Sequence, residues 1–155
     1  PPKHVLRDIS KLIESLPLDH VALVGSSLGG FYATYFVAKY ACPAVLINPA
    51  MQLWQLFKDL FGIEQIPLKV TESWILDTDQ LQQLQSIANT RLNHADKILM
   101  LLQQGDEVLD YRQAQRYYSA AQPSSLILTD MDGNHAIDDF EEKLPLILEF
   151  LSAAL

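Results

Sequence analysis

The 155 residues are 49% hydrophobic and carry a formal net charge of −8, with only 11 lysines and arginines, so the chain is expected to form one globular domain with a core of useful size. The acidic balance and the scattered basic residues exclude a polyanion-binding face, so neither nucleic acid nor an anionic membrane is an expected partner. The single cysteine, Cys42, cannot form an intrachain disulfide and points to a reducing compartment, with the cytoplasm as the expected location.

Val5, Leu6, Ile9, Leu12, Ile13 and Leu16 recur at helical spacing until Pro17 stops the pattern, which predicts an amphipathic helix at the start of the chain. Val21 to Val24 is a short apolar run suited to a buried parallel strand, and its apolar side chains on both faces predict a central place in the sheet. A helix is predicted over Leu28 to Tyr40, and a second strand over Ala44 to Ile47, bounded by Pro43 and by Asn48-Pro49. The longest uncharged stretch, Tyr40 to Phe57, is broken by Pro43, Asn48, Pro49, Gln52 and Gln55, so no membrane span is expected.

Leu53, Trp54, Phe57, Leu60 and Phe61 fit one face of a helix ending near Gly62, followed by an irregular stretch with Pro67 and Trp74 and a polar helix over Asp79 to Ala88. A crossover between parallel strands needs only about a dozen residues, so residues 50–95 read as an insertion, expected to be a lid. Ile98 to Leu102 is the third strand. A helix from Tyr111 to Ala120 follows, with Asp110 and Gln113 as a capping box. Ser125 to Thr129 is the fourth strand, and a last helix runs from Phe140 to Ala153, capped by Asp139 and Glu142, with Pro145 a possible site of a kink or a later start. Short strands alternating with helices predict an α/β fold, an open parallel sheet whose ligands gather at the carboxyl ends of its strands.

At one such end stands Gly25-Ser26-Ser27-Leu28-Gly29. Gly-x-Ser-x-Gly between a strand and a helix is the pattern of a nucleophile elbow, which lifts the serine hydroxyl above the sheet. Ser27 is that serine; a frame centred on Ser26 would need glycine where the chain has Val24. The two flanking glycines are expected to lack a Cβ because strand and helix pass too close. The first helical amide, Leu28 N–H, is the candidate oxyanion donor.

A serine needs a base beside it and an acid to orient that base. The expected chain order is serine, acid, histidine, and Asp106 after the third strand and His135 after the fourth satisfy it. Asp110 competes for the acid's role but is better explained as a helix cap, and Glu107 is a third choice. His4, His20 and His94 lack metal-ligand spacing, so no metal and no cofactor are expected. Trp54 and Phe57 are candidates for lining an acyl pocket, with core or lid packing the alternative.

The stretches Val24 to Thr34, Asn48-Pro49-Ala50, Leu101 to Tyr111 and Gly133-Asn134-His135-Ala136 resemble the YqiA/YcfP-type bacterial esterases of the α/β-hydrolase superfamily. The resemblance implies a three-layer α/β-hydrolase-like sheet, with Ser27 as nucleophile, Asp106 as acid and His135 as base. It also implies hydrolysis of short-chain acyl esters or thioesters without a cofactor. Members of that family carry an upstream strand and a turn that supplies a second oxyanion donor. The chain is therefore expected to be the C-terminal portion of a longer protein, with an open sheet edge through which copies could associate. The competing expectation is a non-catalytic α/β-hydrolase-like binding module that keeps the fold and the pocket.

Overall fold

The computed structural model describes residues 1–61, 66–69, 71–88 and 90–155, and the backbone alone for residues 58–61. Four strands, β1 (Leu23–Ser26), β2 (Ala44–Ile47), β5 (Ile98–Gln103) and β6 (Leu126–Asp130), pair in parallel in the order β1-β2-β5-β6. Helices α1 (Pro2–Glu14) and α2 (Leu28–Tyr40) precede and follow β1, and α5 (Tyr111–Ser119) and α6 (Phe140–Ala154) follow β5 and β6. Between β2 and β5 come α3 (Leu53–Phe61), a two-stranded antiparallel hairpin of β3 (Leu68–Lys69) and β4 (Ile75–Leu76), and α4 (Thr78–Ala88).

The apolar runs explain the layering. Successive strand residues point to opposite faces, so Ala44, Leu46, Ile98, Met100 and Leu102 pack with Ala33 and Val37 of α2 and Ala114 and Tyr118 of α5. Val45, Ile47, Leu99 and Leu101 face the other way, onto Ile147 of α6. β2 and β5 are buried along their whole length, as strands covered by helices on both sides must be. This is a three-layer α/β sheet. A third apolar cluster joins Ile13 of α1, Phe31, Tyr32 and Phe36 of α2, and Leu53, Leu76, Leu81, Leu84 and Ile87 of the segment between β2 and β5.

Several boundaries differ from the sequence reading for identifiable reasons. β1 begins at Leu23 rather than Val21, because its pairing with β2 runs from Leu23–Ala44 to Ser26–Ile47 and takes in the polar end of the motif. Among the described residues it pairs on one side only, with β2, and Val24 is 55% exposed. The β3–β4 hairpin falls in the stretch read as irregular, since two-residue strands are too short to show alternation. Gly62, the expected end of α3, lies outside the described residues. Asp110 caps α5 by accepting the Arg112 N–H, whereas Asp139 precedes α6 without capping it and pairs instead with Lys143 at 3.2 Å. α6 continues through Pro145.

The steric argument for the flanking glycines holds for Gly25 and fails for Gly29. A Cβ on Gly25 would meet the Gly29 carbonyl oxygen at 2.5 Å, whereas one on Gly29 would meet nothing within 4 Å. The second obligatory glycine is Gly30, whose Cβ would lie 2.8 Å from Pro49 Cβ, because the start of α2 is pressed against the turn after β2. Gly30→Ala is therefore expected to destabilise the fold by about 1–3 kcal/mol, the usual cost of overpacking. Gly29→Ala should be neutral or stabilising by up to about 1 kcal/mol through helix propensity. Paired thermal melts check the contrast.

Candidate active site

The parallel pairing aligns Ser26, Ile47, Leu101 and Leu128 across the sheet, so the residues that follow them emerge along one edge. Ser27 is the first residue past β1 and adopts φ 51°, ψ −115°. A non-glycine residue in so sparsely populated a region costs on the order of 1–3 kcal/mol and must be held by its surroundings. Both of its backbone groups are held: its N–H donates to Ile47 O at 2.9 Å, and its carbonyl accepts from Phe31 N at 3.2 Å and Ala50 N at 3.1 Å. Leu28 opens α2, where the amide has no carbonyl four residues back in the helix to bond.

Asp106 lies in the turn after β5. One carboxylate oxygen accepts the Val108 and Leu109 N–H groups, each at 2.8 Å, and the other accepts from His135 Nδ1 at 2.8 Å. The Asp106 side chain is 1% exposed and that of His135 20%, so the acid is sealed and the imidazole opens toward solvent. A carboxylate only accepts, so Nδ1 carries the proton and Nε2 of the neutral ring keeps its lone pair. That is the tautomer a general base needs. Asp110 is occupied with its helix cap and with Arg112 at 2.8 Å, and among the described residues it makes no hydrogen bond to the histidine. Glu107 does reach it, through the backbone: its carboxylate accepts the His135 N–H at 3.0 Å.

The structure thus joins Asp106 to His135 and sets Ser27 beside the end of β2. Among the described residues no hydrogen bond links the Ser27 hydroxyl to the imidazole. The link between the two halves runs through Asn48, whose side chain donates to the carbonyls of Asn134 and His135 at 3.2 and 3.1 Å. Sequence reasoning used Asn48 to close a strand and as part of a shared motif but gave it no catalytic or positioning role.

Trp54 lines a cavity of about 680 Å³ between α2, α4 and α5, together with Phe31, Tyr35 and Ala50. Phe31 and Ala50 are the two residues whose amides hold the Ser27 carbonyl. Phe57 packs against the cluster of α1 to α4 and is not among the cavity's lining residues. Among the described residues, no group of three His, Cys, Asp or Glu side chains is placed to hold a metal ion, and no helix is long and apolar enough to cross a membrane.

The sequence profile of one family, described as an uncharacterised protein family, UPF0227, matches residues 1–152. The chain belongs to that family. It is the family of the YqiA/YcfP-type esterases that the motifs resemble. Solved structures share the α/β-hydrolase fold. They include monoacylglycerol lipase of Paleococcus ferrophilus (TM-score 0.66, 16% identity, covering 99% of this chain and 76% of that one). Acetyl xylan esterase 1 from Thermoanaerobacterium sp. JW/SL YS485 is similar over 94% of this chain and 50% of its own (TM-score 0.59, 16% identity). Carboxylesterase CesB of Bacillus subtilis is similar over 95% and 65% (TM-score 0.55, 16% identity). This UPF0227 chain therefore spans between half and about three quarters of the length of these three structures.

The strand leading to His135 is anchored by charge. Asp130, at the end of β6, accepts from Gln103 Nε2 at 2.7 Å and pairs with Lys143 of α6 at 2.8 Å. Chiefly the Lys143 ammonium, with help from Gln103, holds the Asp130 carboxyl below its ordinary value of 3.8. A depressed carboxyl stabilises the fold above its unfolded value, and the contribution fades as pH falls through the folded one. Lys143→Met should therefore lower Tm at neutral pH, and the gap from the parent should close as pH falls below 3.8. Melts recorded across that range measure the gap.

Proposed function

We propose that this UPF0227 chain carries the catalytic residues of a serine hydrolase acting on acyl esters or thioesters. Ser27 Oγ attacks the acyl carbonyl carbon while His135 Nε2 takes its proton. Leu28 N–H donates to the developing oxyanion with the α2 dipole behind it. Collapse of the tetrahedral intermediate breaks the bond to the leaving alcohol or thiol, which receives the proton from His135. Water, deprotonated by the same nitrogen, then attacks the acyl-enzyme, and as the acyl–Oγ bond breaks His135 returns that proton to Ser27 Oγ, releasing the acid. Asp106 orients the ring and stabilises its cationic form. The residues call for no cofactor.

The observation that carries this reading is the 2.8 Å Asp106–His135 hydrogen bond, together with a serine in strained elbow geometry that leaves the same edge of the sheet. An ordinary surface histidine has no reason to face a sealed carboxylate that also holds two backbone amides. Support for an acyl substrate comes from the cavity, whose volume falls in the range of roughly 300–1,000 Å³ usual for small-molecule sites and whose walls begin at the residues bonded to the Ser27 carbonyl. Residues 50–95, which contribute Trp54 and Ile87 to that wall, are read as the lid over the acyl chain.

Turnover of p-nitrophenyl butyrate tests the assignment. Ser27→Ala or His135→Ala should lower kcat by roughly 10⁴ to 10⁶, and Asp106→Asn by about 10³ to 10⁴, while Asp110→Asn should cost little. Activity should fall on acidification, since a protonated imidazole cannot accept the serine proton, and should survive EDTA. A folded Ser27→Ala protein with parental turnover, or damage at Asp110 in place of Asp106, would overturn it. Trp54→Ala should shift the preferred acyl length, whereas Phe57→Ala should mainly lower Tm; a chain-length series on both variants reads the difference.

A further inference from the structure

We propose that Asn48 is a positioning residue that holds the Asp106–His135 pair in place relative to Ser27. This rests on the triad proposed above. Asn48 is 2% exposed, and its backbone takes a positive φ of 40°, a conformation asparagine tolerates better than most residues. Its backbone N–H donates to Leu101 O at 3.0 Å. The side-chain oxygen accepts from Gln103 N at 2.9 Å, at the end of the strand that leads to Asp106, and the side-chain amide reaches the carbonyls of Asn134 and His135.

Asp106 N in turn donates to Gln103 O at 3.2 Å, so Asn48 grips the acid-bearing turn at its root and the base-bearing loop at the histidine itself. Its neighbours complete the junction, since Ile47 O and Ala50 N bond the two backbone groups of Ser27. A four-residue segment, residues 47–50, is therefore bonded to all three arms. Both side-chain N–H groups are spent on carbonyls within the protein, so Asn48 has no donor left for a ligand. Its buried amide is costly to leave unpaired, and here every bond it makes fixes the distance between catalytic groups.

Glycine accepts the positive φ, so Asn48→Gly removes the three side-chain bonds without adding backbone strain. Ile98→Ala, a buried residue paired with Ala44 at the amino ends of β5 and β2 and so at the opposite end of the sheet from these bonds, serves as a control for general destabilisation. In Asn48→Gly, kcat should fall about 10²-fold, the cost of a small misplacement of reacting groups, with KM nearly unchanged. The Nδ1 proton of His135, expected in the parent as a strongly downfield NMR resonance, should broaden or vanish. Ile98→Ala should lower Tm at least as far while keeping both kcat and that resonance. Should Asn48→Gly fail to fold, Asn48→Asp keeps the acceptor for Gln103 and loses the donors, and should show the same kinetic and spectral losses.

Parental kcat with an intact resonance, or losses no greater than those of Ile98→Ala, would overturn the proposal. If Ser27→Ala were fully active the triad reading would fall by itself, and the resonance would still decide whether Asn48 positions His135.

Discussion

Parallel pairing of β1, β2, β5 and β6 is the constraint on which the rest depends. Because all four strands run the same way, every connection that leaves a carboxyl end leaves from the same edge of the sheet, and each carries one member of the site. β2 and β5 are buried along their whole length, and a slip of one residue there would turn every apolar side chain toward the wrong layer. The core thus fixes the register, and the register fixes the spacing of Ser27, Asn48, Asp106 and His135. Stability and the geometry of the candidate site are built from the same strands.

Where the strands end, close backbone contact replaces apolar packing. The start of α2 is pressed onto Pro49, which leaves no room for a side chain at Gly30, and the strained Ser27 is bonded at both its amide and its carbonyl. These are the contacts that can sustain an unfavourable φ, ψ, because relaxing Ser27 would break hydrogen bonds to β2 and to the turn after it. A Cβ on Gly133, at φ +88°, would collide with the Gln103 side chain, so the loop that carries His135 also lies tight against the end of β5.

Much of this was legible from residue order. The apolar runs marked four parallel strands, and the order Ser27, Asp106, His135 singled out the residues whose loops share one edge. Asp106 could be preferred over Asp110 because a cap explained the latter, and the structure puts Asp110 in that cap. What stayed hidden has a common cause. The need for glycine at 30 comes from Pro49, and the bonds of Asn48 reach residues 55, 86 and 87 positions away. No local pattern encodes such partners. The apolar run Val21 to Val24 marked the strand but not its bounds, which pairing with β2 sets at Leu23–Ser26.

The central claim is that the elbow serine is activated by the histidine held on Asp106. Treating the protein with a fluorophosphonate and locating the adduct by mass spectrometry tests it most directly, since the reagent couples to activated serines and does not depend on knowing the substrate. The account predicts one adduct, on Ser27, lost in His135→Ala and formed at the parental rate in a Ser26→Ala variant. An adduct on Ser26, or labelling of Ser27 that is indifferent to His135, would contradict it.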